Sequence, residues 1–278
     1  MNHTGSNPQN NLHKTTVVII PARLASTRLP EKALLDIAGK PMVCWVAERA
    51  LGARNVDRVI VATDSELIRD VVQANGLEAV MTSETHASGT DRIAEVALSI
   101  LDAEIIVNLQ GDEPLISPET IERAVEQMHE ELQRPDGAGI VTTWESIENY
   151  DDLLNCDLVK VVLGEEDQAI YFSRSPVPCP RDVIKKHGSP EQACASEPDF
   201  LKPFRKHTGL YVYRRDVLLE FTRWPQTQLE RLESLEQLRA LEHGVVIRVI
   251  QASSSSTGVD TAEDLEKVRE TFASLVGK

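Results

Sequence analysis

Thr15–Ile20 (TTVVII) is an unbroken apolar, β-branched run, the pattern of a strand buried on both faces. The next dozen residues have no period and contain Pro21 and Pro30, so they are expected to loop. From Met42 to Leu51 the apolar residues fall at 42, 43, 45, 46, 50 and 51, which is helical spacing. Arg58–Thr63 (RVIVAT) predicts a second strand, with Asp64 as cap of a helix to about Asn75. Ala79–Met81 predicts a short strand. Ser88-Gly-Thr-Asp91 has the form of a capping box opening a helix through Leu101. Ile105–Leu109 (IIVNL) is another buried strand, and Ser117-Pro118 supplies a cap and an N1 proline for a helix to about Leu132.

This alternation predicts an α/β fold: a largely parallel sheet with helices on both faces. Ligands bind such sheets beyond the carboxyl ends of the strands, here the loops after Ile20, Thr63 and Leu109. After about Asp136 the pattern changes. Ile140–Thr143, Leu158–Leu163 and Ala169–Ser173 read as strands without long helices between them, the last two turned by Asp167-Gln168. Residues 175–200 are rich in Pro, Lys and Glu and aperiodic, and are expected to form an excursion or partly mobile loop. Thr208–Tyr213 predicts a strand, the stripe 229, 232, 235, 238 and 241 a helix over Leu229–Leu241, Val245–Ile250 a last strand, and Thr261–Leu275 a closing amphipathic helix.

Composition narrows the class. With 29 Lys plus Arg against 44 Asp plus Glu, the net charge is −15, which argues against a nucleic-acid coat or a polybasic membrane-surface protein. No apolar run approaches the roughly 18 residues of a membrane span. Residues 1–14 are polar, without the apolar centre of a signal peptide, and read as a disordered leader. Cys44, Cys156, Cys179 and Cys194 are too scattered for a zinc knuckle or redox pair; a cytoplasmic location is expected, with Cys44 in the core.

Charge is unevenly spread. Residues 14–40 hold five cations (Lys14, Arg23, Arg28, Lys32, Lys40) and two anions (Glu31, Asp36), a +3 island that leaves −18 for the rest. Such an island after a buried strand is either a polyphosphate clamp, with Arg as planar fork and Lys as point charge, or a solvated loop. Neither a P-loop nor a G-x-G-x-x-G is present. Gln110-Gly-Asp-Glu-Pro114 follows the strand IIVNL: Gly111 permits close backbone approach and Asp112 offers a hard oxygen donor for Mg²⁺, although a plain turn uses the same residues. In Thr257-Gly-Val-Asp-Thr261, Thr261 and Asp264 account for a helix cap, which leaves Asp260 as a candidate second carboxylate. His207 reads equally as a core or a substrate-binding histidine. There is no H-E-x-x-H, G-x-S-x-G or D-x-D.

The segments VVIIPARLASTRLPEK, VATD (61–64), SGTDR (88–92), NLQGDEP (108–114), YFSR (171–174), LEQLR (235–239) and TGVDT (257–261) occur in order. Together they resemble the 3-deoxy-manno-octulosonate cytidylyltransferases (CMP-KDO synthetases), over about residues 15–272. The resemblance implies that CTP and 3-deoxy-D-manno-octulosonate (KDO) give CMP-KDO and pyrophosphate with Mg²⁺, for lipopolysaccharide synthesis, in a homodimer. It implies a three-layer nucleotidyltransferase core over 15–275, with a smaller, strand-rich sugar-binding and dimerisation lobe inserted at roughly 140–225. Pro21, Ala22, Arg23, Arg28 and Lys32 would hold the nucleotide phosphates, with Gln110 and Gly111 beside them and Ser88, Gly89, Thr90 and Arg92 near the base. Asp112 and Asp260 match the magnesium aspartates. Arg23, Arg28, Lys32 and Asp112 would carry catalysis, and Arg174, His207, Tyr211, Glu236 and Gln237 the sugar-acid side.

This chain departs from the family in three places. Glu31 stands where the loop usually has Gly, residues 179–200 are longer, and Ser253–Ser256 replaces a Pro- and Gly-containing approach to Gly-Val-Asp-Thr. A glycosyltransferase, a non-catalytic nucleotide-binding relative and a cytidylyltransferase for 8-amino-KDO or sialic acid remain as alternatives. The missing D-x-D opposes the first, and the intact aspartate pair and Arg–Lys loop oppose the second.

Overall fold

The computed structural model describes residues 15–25 and 29–276; the expected leader and Arg28 lie outside them. In chain order the elements are β1 (Thr15–Ala22), β2 (Asp36–Ile37), β3 (Lys40–Pro41), α1 (Met42–Leu51), β4 (Arg58–Thr63), α2 (Glu66–Ala74), β5 (Glu78–Met81), α3 (Gly89–Ser99) and β6 (Ala103–Leu109). There follow α4 (Pro118–Glu131), β7 (Ile140–Ser146), α5 (Tyr150–Leu154), β8 (Lys160–Leu163), β9 (Ala169–Ser173), α6 (Arg181–His187), α7 (Pro190–Ser196) and β10 (Arg205–Arg214). The last are α8 (Arg215–Phe221), α9 (Gln228–Glu233), α10 (Gln237–Glu242), β11 (Ile247–Gln251) and α11 (Ala262–Val276).

Alternation along β1 sets the layers. Val18 and Ile20 join a buried core with Val46 and Ala47 of α1, Ile68 of α2 and Ile121 and Val125 of α4. Val17 and Ile19 point the other way, into a core with Ile93 of α3, Leu218 and Phe221 of α8 and Leu238 of α10. Helices therefore cover both faces, giving three layers. Burying each such aliphatic or aromatic side chain contributes about 1.5–3 kcal/mol. A third cluster lets α11 close over β2 and α1, with the Trp45 and Phe272 rings 4.6 Å apart.

The sheet runs β11-β7-β10-β6-β1-β4-β5, with β8 and β9 branching from β10. β6, β1, β4 and β5 are parallel, as are β11 and β7; β10 is antiparallel to both β6 and β7.

Three local expectations are corrected. Ser65, not Asp64, caps α2 by accepting from the Ile68 amide, because the Asp64 carboxylate is drawn off to Arg92. The 175–200 stretch holds two helices, α6 and α7, whose Ala193 packs into a small core with Ile147, Leu153, Phe200 and Phe204. The Leu229–Leu241 stripe is two helices broken at Ser234, which sits at φ 53°. A strict three-residue spacing slips about 60° round a helix at each step, so one straight helix cannot bury it. Leu232 accordingly is 72% exposed while Leu235 and Leu238 are buried.

Candidate active site

The carboxyl ends of β1, β4 and β6 share one edge: Ala22 lies opposite Thr63, and Ile19 opposite Asn108. β10 runs the other way, placing Leu210 opposite Leu109 and Tyr211 opposite Asn108. Its first half, with His207 and Gly209, therefore arrives at the edge where the parallel strands end. Gly209 packs closely there, since a Cβ would come 3.1 Å from Gln110 Cγ.

The loops after β1 and β6 enclose a cleft of about 250 Å³ together with the segment before α11, lined by Pro21, Ala22, Arg23, Lys32, Gln110, Gly111, Asp112 and Asp260. Gly111 allows the two loops to touch, because a Cβ would sit 3.2 Å from the Pro21 carbonyl. Lys32 Nζ donates to Asp112 Oδ2 at 2.5 Å and to Asp260 Oδ1 at 2.8 Å. Burial pulls the Lys32 ammonium down, but Asp112 and then Asp260 outweigh it and hold its pKa above the ordinary lysine value. Two carboxylates thus converge on one cation position.

That donor set fits a magnesium ion. Mg²⁺ is typically held by one or two carboxylates, with water and substrate phosphates completing its shell. Among the described residues no group of three or more His, Cys, Asp or Glu could form a closed metal cage.

A second cleft of about 140 Å³ shares Pro21, Ala22, Arg23 and Gln110 and adds His86, Ser88, Gly89 and Arg92. Ser88 caps α3: its Oγ accepts from the Asp91 amide at 3.1 Å, and its own amide donates to Asp91 Oδ2 at 3.2 Å. The Arg92 guanidinium is buried and committed to protein partners, donating to Asp64 Oδ2 at 2.5 Å and to the Thr82 hydroxyl. His86 went unnoticed in the sequence, although it stands two residues before Ser88. Its imidazole pairs with Glu95 and is the main reason that carboxyl lies below the usual glutamate range.

The residues expected on the sugar side line neither cleft but sit around the same edge. Glu236 Oε2 accepts from Thr90 Oγ1 at 2.6 Å, tying the α9–α10 corner to the first turn of α3. Gln237 opens α10 and is buried. Arg174 donates to the carbonyls of Glu233 at 2.7 Å and Cys156 at 2.9 Å, while its amide donates to Glu233 Oε2 at 2.9 Å. His207 lies buried between the rings of Phe172 (4.9 Å) and Tyr211 (5.3 Å). The Thr142 hydroxyl donates to the Leu210 carbonyl at 2.6 Å, so it can only accept from His207 Nε2 at 2.9 Å. Nε2 therefore carries a proton, and because burial disfavours the charged ring, Nδ1 is left as acceptor.

Burial lowers the His207 pKa from 6.5 to about 3. Below pH 6.5 the unfolded chain takes up a proton that the folded chain refuses. Stability is therefore expected to fall from this group as pH drops from 6.5 towards 3. The melting-temperature gap between the wild type and His207→Gln should narrow over that window; a constant gap would show the histidine titrating normally.

Glu113, Glu145, Lys206 and Ser256 form a further cluster behind Asp112. Burial pushes the Glu113 carboxyl up to about 7, against the opposing hydrogen bond from Ser256.

A family model described as cytidylyltransferase matches residues 17–250. A 3-deoxy-manno-octulosonate cytidylyltransferase of Trichlorobacter lovleyi is 51% identical over 254 residues, covering 91% of this chain and 97% of that protein. The chain belongs to the 3-deoxy-manno-octulosonate cytidylyltransferase family. A member from Neisseria meningitidis is 46% identical over 262 residues, covering 93% and 98%. A solved CMP:2-keto-3-deoxy-manno-octonic acid synthetase complexed with CTP is 40% identical, with a TM-score of 0.82 over 94% of this chain and 99% of that one. The three-layer sheet of this cytidylyltransferase is thus the family's own nucleotidyltransferase fold.

Proposed function

We propose that the chain transfers CMP from CTP to KDO, releasing pyrophosphate and forming the activated sugar for lipopolysaccharide synthesis. The observation that carries this reading is the convergence of Asp112, Asp260 and Lys32 in a cleft walled by the cationic loop. The 51% identity to a named cytidylyltransferase supplies the substrates.

The KDO hydroxyl attacks the α-phosphorus of CTP in line, the bond to the bridging oxygen of the leaving pyrophosphate breaks, and the hydroxyl proton is released to solvent. Phosphoryl chemistry of this kind leaves the protein positioning and charge stabilisation to do. Arg23 and Lys32 stand at the cleft wall to meet the phosphates, and Gly111 lets the nucleotide approach the backbone. Arg28, outside the described residues, is assigned to the same clamp on the sequence alone. Mg²⁺, held by Asp112 and Asp260, would neutralise the triphosphate and the charge that develops on it. Ser88 and Gly89 present the amide end of α3 to the second cleft, assigned here to the base. His207 offers Nδ1 as an acceptor, and Tyr211, Glu236 and Gln237 complete the sugar side. Arg174 shapes that side by holding the carbonyls of Cys156 and Glu233.

Pyrophosphate release from CTP and Mg²⁺ should be fastest with KDO, against its 8-amino analogue and sialic acid. No release with KDO rejects this reading. A cytoplasmic homodimer belongs to the same proposal. Ile170 on β9, which pairs only with β8 among the described strands, is 62% exposed and apolar. Sedimentation of the purified chain reads the subunit number directly.

A further inference from the structure

The serine run that replaces the family's usual approach to Gly-Val-Asp-Thr is stitched down at both ends. At its start the Ser253 amide donates to Thr120 Oγ1 at 3.0 Å, and its hydroxyl donates to Ser117 Oγ at 3.2 Å, both at the first turn of α4. At its end the Ser256 amide donates to Glu145 Oε1 of β7 at 2.9 Å, and Ser256 Oγ donates to Glu113 Oε2 at 2.6 Å. Lys206 of β10 holds the other Glu145 oxygen at 2.6 Å.

Glu113 directly follows Asp112, so Ser256 is anchored on the neighbour of one candidate metal carboxylate while lying four residues before the other. Between them, Gly258 packs so closely that a Cβ would sit 3.2 Å from Glu113 Oε1, and the Val259 amide donates to the Asp112 carbonyl at 2.9 Å. The two loops meet at Ser256, Gly258 and Val259 on the way to Asp260, by two hydrogen bonds and one close packing contact. Mg²⁺ demands near-ideal octahedral geometry at about 2.0–2.1 Å, so a carboxylate on a wandering loop binds it poorly. Outer partners that orient metal ligands typically change affinity about 10–100-fold.

We propose that Ser256 and Glu113 are positioning residues that lock Asp260 onto Asp112 for a divalent cation. The serine run does by side-chain hydrogen bonds what a stiff Pro-containing approach does by restricted backbone. This inference rests on the reading of Asp112 and Asp260 as the metal carboxylates.

The test is binding of Mn²⁺ to the whole chain with CTP and no sugar acid, following free Mn²⁺ by electron paramagnetic resonance. Wild type, Ser256→Ala, Ser256→Thr and Asp260→Asn are compared, each checked as folded by its melting curve. Ser256→Ala is expected to weaken Mn²⁺ about tenfold and to raise the KM for Mg²⁺ with kcat nearly unchanged. Ser256→Thr keeps the hydroxyl and should restore most of the affinity. Wild-type Mn²⁺ affinity in Ser256→Ala, with affinity lost in Asp260→Asn, overturns the clamp and leaves the metal reading standing. Wild-type affinity in Asp260→Asn overturns the metal reading itself.

Discussion

Asp112→Asn and Asp260→Asn chains are each expected to fold as the wild type does and to lose about three orders of magnitude in turnover at moderate Mg²⁺. Asparagine keeps the volume and removes the charge. For the fold the loss is small, because the ion pairs to Lys32 are part-exposed, with Asp260 at 48%, and such pairs contribute at most about 1 kcal/mol. For the reaction it is large. A bound cation supplies several kcal/mol of charge stabilisation to a phosphoryl centre, and about 4 kcal/mol is a thousandfold in rate. Raising Mg²⁺ should recover part of the activity, since the remaining carboxylate and the nucleotide still contribute donors. Initial rates across a magnesium series, beside melting curves, separate the two effects. Near-normal turnover in either variant removes that aspartate from the metal site.

The largest effect on stability is expected at Arg239, inside the Leu-Glu-Gln-Leu-Arg motif but turned away from the clefts. Its guanidinium is buried, donates to Glu230 Oε2 at 2.8 Å and to the other Glu230 oxygen, and stacks 4.5 Å over the Phe221 ring. Glu230 is itself only 2% exposed. Arg239→Met leaves the buried Glu230 carboxylate without its cation, with the Thr227 amide still donating to it, which costs about 3–5 kcal/mol. In a chain of this size that lowers the melting temperature by about 10 °C. The double variant Glu230→Leu with Arg239→Met removes both charges and should recover most of the loss, because apolar replacements of a buried pair are often neutral. Scanning calorimetry checks both; a single variant melting with the wild type would show that water reaches the pair.

The central strands were legible because β1, β4 and β6 are buried on both faces and must be apolar throughout. The loops after them carried the cations and Asp112, and their place at the sheet edge followed from strand polarity. Asp260 could be singled out because Thr261 and Asp264 already accounted for the cap. Its meeting with Asp112 was expected from the family resemblance and not from the residues themselves, since it depends on Lys32 reaching both and on the Val259 amide pairing with the Asp112 carbonyl. The seven-residue helices α6 and α7 carry too few apolar positions for a period, although Ser189-Pro190 marks the start of α7. The break at Ser234 hides because the apolar spacing runs straight through it. The engagement of Arg174 with backbone carbonyls leaves no mark in the sequence, because any residue type can offer a carbonyl.

The reversed strand β10 also dictates when this sheet can be completed. It lies between β6 and β7, and the other neighbour of β7 is β11. A chain emerging from the ribosome therefore carries β6 with one bare edge, and β7 without any partner among these strands, until residues 205–214 have been made. Unpaired edges of that kind invite pairing with other chains. The span before residue 205 is thus the one most in need of shelter during synthesis.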